Sequence, residues 1–321
     1  MSGKTLLITG MSGYIGGALC RRLEHSDWCD RVDGCDVRAP LDKVDKVHYR
    51  DLDINDPGLA DWVFDCAPDV LVHLAFVLNP MHDEARMRRV NVDGTRAVLD
   101  AAAAAATRQV LVASSGTAYG AWPDNPVPLR ETDPIRPHPG FQYAREKAEV
   151  EDLCADFMAA HPEVVFSIVR PCVVYGPNVR NYLSRMLTGL PTVVGLAGYE
   201  PDLQFVHEDD VARAILAIID QDARGAFNIA PPDTLTMAET LGMAGKRVVR
   251  LPDWVLDPLA DFLWRHRINV LGAPASFLDF LRYPWVLDPG RLTDELGFVF
   301  RYSSREALTV MLRSKGVFRR A

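Results

Sequence analysis

Residues 4–16 read KTLLITGMSGYIG, and this stretch decides the fold. Lys4–Thr9 is a short apolar run ending in glycine, the pattern of a buried parallel strand. Gly10, Gly13 and Gly16 follow with G-x-x-G-x-x-G spacing, and residues 15–23 show helical apolar spacing. A strand that turns straight into a helix through bare glycines leaves no Cβ where the chain must turn tightly and a pyrophosphate must approach. The helix start adds free N–H groups and the positive end of its dipole. The stretch therefore predicts a dinucleotide-binding turn on Gly10, Gly13 and Gly16.

Outward from that turn, strands and helices keep alternating. Residues 31–37 (RVDGCDV), 69–75 (DVLVHLA), 109–114 (QVLVAS) and 164–170 (VVFSIVR) read as strands, and the alanine-rich stretch 91–107 reads as a helix. That order predicts an α/β fold with a doubly wound parallel sheet of the Rossmann kind. Past about residue 176 prolines and glycines interrupt the pattern. An amphipathic helix over 209–219 and a short strand over 226–229 come next. The expected division is a cofactor domain over 1–175, completed by parts of 204–230, with 176–321 mostly a smaller α/β substrate domain. The segment 251–287 carries Trp254, Phe262, Trp264, Phe277, Phe280, Tyr283 and Trp285. It reads as core of the smaller domain, as a wall for a ring or a less polar alcohol, or as an exposed patch.

Asp36 ends the second strand 20 residues beyond Gly16. A carboxylate there accepts from ribose hydroxyls and repels a 2′-phosphate, which points to NAD over NADP, although Arg38 lies close by. Asp53 and Ile54 open a turn where they meet an adenine edge; Asp51 is an alternative. Tyr143 and Lys147, four residues apart in YAREK, share one helix face. A nearby ammonium and a positive nicotinamide ring favour the phenolate, so this pair reads as a catalytic base and its partner. Ser114, Ser115 and Thr117 follow the 109–114 strand at the end where ligands bind in open sheets. Ser115 is the expected hydrogen-bond donor to the substrate oxygen, with Thr117 beside it.

The bulk properties narrow the field. With 321 residues, 48% hydrophobic, the chain is long enough for one large domain or two coupled ones. A net charge of −8 without a long basic run gives nucleic acid no footprint. The basic tail (Arg313, Lys315, Arg319, Arg320) reads as a solvated helix end. No apolar run reaches the roughly 18 residues of a membrane span, and the start carries no secretory pattern. Cys20, Cys29, Cys35, Cys66, Cys154 and Cys172 show no C-x-x-C pair and no histidine cluster, so no metal site is expected and a reduced, cytoplasmic protein is.

These residues together resemble the extended short-chain dehydrogenase/reductase superfamily, in its NAD-dependent epimerase/dehydratase group, and are similar to UDP-glucose 4-epimerase-like proteins. TGMSGYIG is similar to the family's TGxxGxxG, DIND (53–56) to its adenine-side motif, HLAFV (73–77) to its strand-end turn, and NVDGT (91–95) to its NxxGT helix start. SSGTAYG, YAREK, RPCVVYGP (170–177), FVHEDDVARAI (205–215) and Asn228 in FNIA resemble further blocks. The resemblance implies that Tyr14, Ile15, Leu74, Ala75, Phe76, Asn91, Ser114 and Pro171 join the cofactor site with Tyr143 and Lys147. It also implies Arg180 and Asn181 beside Thr117 on the substrate side, and a homodimer packed through the 91–107 and Tyr143 helices.

The implied chemistry removes the substrate hydroxyl proton at Tyr143 and passes hydride to NAD, leaving a ketone beside Ser115. Two departures shape the expectation. The turn Ser115-Gly116-Thr117 lacks the carboxylates of sugar-nucleotide dehydratases. The block LQFVHEDD has Leu203 and Gln204 where many sugar-nucleotide members hold the diphosphate with an arginine; Arg180, Arg185 and Arg282 are the candidate substitutes. The first expectation is a nucleotide-sugar epimerase that retains NAD. The second is an NAD-dependent dehydrogenase or reductase of a less polar, non-nucleotide alcohol or ketone. A non-catalytic NAD-binding protein is the third, and intact Tyr143, Lys147 and Ser115 argue against it.

Overall fold

The protein is described from a computed structural model over residues 3–24, 26, 29–40, 44–268 and 274–317. Residues 269–273 of the aromatic segment and Arg319 and Arg320 of the basic tail lie outside the described residues. Along the chain come β1 (Lys4–Thr9), α1 (Tyr14–Glu24), β2 (Cys29–Asp36), β3 (Val47–Asp51), α2 (Leu59–Cys66), β4 (Val70–His73), α3 (Glu84–Arg88), α4 (Gly94–Ala104), β5 (Gln109–Ala113), α5 (Gln142–Ala160) and β6 (Val165–Pro171). Then follow β7 (Val173–Tyr175), α6 (Tyr182–Thr188), β8 (Thr192–Leu196), β9 (Asp202–Leu203), β10 (Phe205–His207), α7 (Glu208–Asp220) and β11 (Gly225–Ile229). The last are β12 (Leu235–Thr236), α8 (Met237–Met243), β13 (Arg247–Leu251), α9 (Asp253–Arg265), a 3-10 turn at Ala275–Leu281, and α10 (Ser304–Ser314).

Seven strands form one parallel sheet in the order β11-β6-β5-β4-β1-β2-β3. Alternation along β1 explains why helices cover both faces. Leu6 and Ile8 join the apolar layer of α1 and α7, whereas Leu7 joins that of α2, α4 and α5. The chain reverses its direction of travel across the sheet between β1 and β4, so a crevice opens at the carboxyl ends of those two strands. Residues past 176 build over this edge, as the β8–β13 ribbon, α6, α8 and α9.

Two differences from the expectations have local causes. The strand read over 69–75 stops at His73: Leu74 N–H makes the last ladder bond, to Thr9 O, and the chain then runs against Gly10. The helix read over 91–107 is two pieces: a π turn at Arg89–Asp93 precedes α4. Asn91, inside that turn, is bonded by its side chain to residues outside it, a frequent use of π turns. The strand read over 226–229 is present as β11, at the edge of the main sheet and paired with β6.

The aromatic segment divides. Phe277 and Phe280 are buried against Phe141 and Tyr143, while Trp254 and Phe262 of α9 are exposed. Lys315 donates to Pro177 O. Among the described residues, no helix is long and apolar enough to cross a membrane.

Candidate active site

The glycine turn closes on itself before any ligand is considered. Gly10 sits at φ +73°, and a Cβ there would lie 2.5 Å from Ala75 N; one on Gly16 would lie 2.4 Å from Gly10 O. Both glycines are therefore needed for β1, α1 and the turn after β4 to meet. Asp36 accepts from Ser12 N–H at 3.2 Å and from Arg38 N–H at 3.1 Å, which ties the end of β2 to the turn. Burial raises its carboxyl above the ordinary value, against the pull of those N–H groups and of Arg38. Asp53 is exposed and accepts from Asn55 N–H at 2.9 Å, capping its own turn. Ile54 is buried, packed where a Cβ on Gly94 would stand.

Tyr143 and Lys147 face inward from α5, both buried. Tyr143 lies beside Ser115, whose Oγ accepts from Thr117 Oγ1 at 3.0 Å and Thr117 N–H at 3.2 Å. Lys147 Nζ donates to Ala113 O at 2.6 Å and lies 3.3 Å from the Phe76 ring centre. Phe76 meets the Tyr143 ring edge-on at 5.5 Å.

The electrostatics bear on the expected phenolate, apart from the nicotinamide ring. Burial pushes the Tyr143 phenol up to about 12, partly opposed by the neighbouring Ser115 hydroxyl. Burial likewise pulls the Lys147 ammonium down to about 7, against the pull of Glu151. Within the protein alone, the phenol is less acidic than usual: desolvation outweighs an ammonium 5.9 Å from its ring. It holds its proton at neutral pH.

Behind these groups runs a polar network that sequence reading did not find. Ser114 Oγ donates to Glu151 at 2.5 Å, and Arg170 grips the same carboxylate through Nε at 2.9 Å. Arg170 also bonds Tyr119, whose hydroxyl donates to Asn228 at 3.0 Å. Asn91 accepts from Val77 N–H at 2.7 Å and donates to Glu146 at 2.7 Å, clamping the Phe76 turn to α5. His73 lies between Thr9 and Thr95, and burial pulls it down to about 3, so it is neutral. Glu151 continues the Tyr143–Lys147 face at i+8; that spacing was the available signal.

A cavity of about 320 Å³ joins the glycine turn to α5. Gly10, Gly13, Tyr14, Ile15 and Gly16 line one end, with Leu74, Phe76, Ser114 and Pro171 beside Ser115, Thr117, Tyr143 and Lys147. Asn181 lines it too, with its side-chain oxygen capping α6. Asp36, Asp53, Ile54, Ala75, Asn91 and Arg180 are not on its wall. The wall beyond the catalytic group comes from α6, β8, α8 and β13 and is chiefly apolar. Leu203, at the block where the resemblance implies an arginine, is buried in it. Gln204 is turned away, held by Pro231 O, Leu287 O and Leu287 N–H. Arg282 is committed to Asp257 and Asp279, and Arg180 and Arg185 are exposed.

Known proteins match this architecture. The sequence model of the NAD dependent epimerase/dehydratase family matches residues 6–230. An uncharacterized protein of Mycobacterium tuberculosis is 26% identical over 324 residues, covering 98% of this chain and 85% of the relative. The ceramide reductase of Caulobacter vibrioides is 28% identical over 264 residues, covering 77% of this chain and 73% of the relative. The structure of Thermotoga maritima UDP-glucose 4-epimerase with UDP-glucose superimposes with a TM-score of 0.74 at 21% identity, covering 97% of this chain and 98% of that one.

Proposed function

The chain belongs to the NAD-dependent epimerase/dehydratase family, and on that premise we propose that it is an NAD-linked oxidoreductase interconverting a ketone and a secondary alcohol on a substrate without a nucleotide diphosphate. One observation carries this reading: among the described residues, the wall beyond the catalytic group has no cation free to hold a diphosphate. Leu203 occupies the handle position, Arg282 is paired, Arg180 and Arg185 are off the wall, and Arg250 is paired with Glu200 at 3.2 Å. A buried diphosphate without cationic partners is costly, whereas a neutral substrate suits the wall.

The residues present fit NAD. Gly10 and Gly13 bring bare backbone to the α1 start, and Asp36 stands at the end of β2 for ribose hydroxyls. When bound, NAD supplies the hydride acceptor for oxidation and, reduced, the donor for reduction. Tyr143, protonated at neutral pH, delivers its proton to the substrate oxygen as the new carbon–hydrogen bond forms. Ser115 donates a second hydrogen bond to that oxygen, and Thr117 holds the Ser115 hydroxyl in place. Lys147 fixes the nearby turn through Ala113 O and offers its remaining protons to a ribose. The balance is ketone plus hydride plus proton to alcohol. The high phenol value suits reduction, and the ceramide reductase relative is consistent with that direction.

The second reading is a nucleotide-sugar epimerase, supported by likeness to the UDP-glucose 4-epimerase fold and by a turn free of dehydratase carboxylates. A homodimer through α4 and α5 is compatible with either reading. Deuterium tracing tests the first. With NADH deuterated at C4, an aliphatic ketone should yield alcohol carrying one deuterium at the carbinol carbon. An unlabelled product, or no product from any non-nucleotide ketone, would rule it out.

A further inference from the structure

We propose that the cavity beyond Ser115 and Tyr143 takes a long unbranched alkyl or acyl chain, with the reacting carbon at its inner end, and that chain length sets specificity. The chemistry at the inner end rests on the oxidoreductase reading; the fit of the chain does not.

Three observations carry it. First, the outer wall is built as apolar stripes. Leu183, Met186 and Leu187 lie at i, i+3 and i+4 along one face of α6, and Val194 and Leu196, two apart, share one face of β8. Stripes along a helix and a strand suit an extended chain, and Val194 to Leu196 alone spans about 7 Å. Met186 adds an unbranched side chain that adapts to a flexible ligand.

Second, charge is confined to the two ends. Among the residues of this wall, the charged side chains are Lys147 at the inner end and the Glu200–Arg250 pair. The pair's side chains are 42% and 49% exposed, which puts them at the rim. The polar exceptions between, Asn181, Thr240 and the hydroxyls of Tyr175, Tyr182 and Tyr199, are neutral groups, and the Thr240 hydroxyl has no protein partner.

Third, the apolar lining continues to the outside. Val194 lines the cavity and is 40% exposed; its register partner on β13, Val249, is 48% exposed. A chain longer than the cavity leaves over an apolar lip. Each methylene buried in such a wall favours binding by a similar increment, about fourfold in affinity.

The test uses the full-length protein with NADH and methyl ketones lengthening from butanone to tridecanone, together with the fluorescent probe N-phenyl-1-naphthylamine. The expected result is kcat/KM rising about fourfold per methylene, then levelling once the chain passes Val194. Val194→Asp should flatten the rise, lowering kcat/KM for tridecanone far more than for butanone, and its half-exposed position lets the variant fold. Matching alcohols should displace the probe with the same dependence on length. A flat series with butanone turned over normally would overturn the chain site and leave the oxidoreductase reading standing. A rigid polycyclic ketone preferred over every chain would do the same. No turnover of any ketone, with the probe still displaced in proportion to chain length, would support the chain site and remove the oxidoreductase reading.

Discussion

The two sides of the cavity are built on opposite principles. On the side of β1, β4, β5 and α5, the polar side chains named above have protein partners: Ser114 with Glu151, Lys147 with Ala113, Asn91 with Val77 and Glu146. On the side of α6, β8, α8 and β13, the wall is made by Leu183, Val194, Leu203 and Leu241. On the proposed reading, the first side fixes atoms to within a hydrogen bond and so sets the reaction, and the second excludes water and sets which skeleton enters. Changes on the first side should therefore cost rate and stability steeply, and changes on the second should alter preference.

The largest expected effect is on the first side. Tyr143→Phe should lower turnover by about 10³-fold, while NADH binding measured by calorimetry stays within about twofold. A variant that turns over normally would remove the phenol from the chemistry. Next comes Arg170→Met, which leaves Glu151 buried without its cation. Urea unfolding should show a loss of about 3–5 kcal/mol, with much of it restored when Glu151→Leu is added. A loss no greater than that of a surface pair would mean that the network is ornamental.

On the second side, Leu203→Arg should lower kcat/KM for a long ketone about tenfold, since a cation then enters an apolar wall. An unchanged value would break the contrast. Lys147 gives a pH-dependent test of intermediate size. Its folded value of about 7 lies below the unfolded value of about 10.4, so the unfolded chain binds more protons between the two and stability rises with pH across that window. The cost of the buried ammonium is complete below about pH 7 and gone above the unfolded value. The stability advantage of Lys147→Met over wild type should thus shrink as pH rises, by at most about 1.4 kcal/mol per unit; thermal melts at several pH values measure it. A gap independent of pH would place the amine outside this account. Ser114→Ala should cost least, about 1 kcal/mol, because Glu151 keeps Arg170.

The same contrast explains what could be read from the sequence. KTLLITGMSGYIG shows its strand, turn and helix because neighbours in the chain are neighbours in space. Tyr143 and Lys147 share a helix turn for the same reason. The Glu151–Arg170 pair joins a helix to the next strand, and Asn91 reaches Glu146 across 55 positions, so neither leaves a local pattern. The wall was less legible still. The register that joins β8 to β13 pairs Thr192 with Arg247 and Leu196 with Leu251, and apolar residues in such a ribbon look like any small core. Two hints were available: Leu203, as a residue missing from an otherwise matching block, and the aromatic segment, whose Phe277, Phe280 and Trp285 line the cavity.

The central claim is that this site performs net redox chemistry on a substrate without a nucleotide. The most direct measurement is the nicotinamide balance of purified protein offered NADH with a long methyl ketone and, separately, a UDP-hexose. The account predicts one NADH consumed per ketone reduced and no change in the UDP-hexose. Conversion of the UDP-hexose to its epimer with no net change in NADH would contradict it.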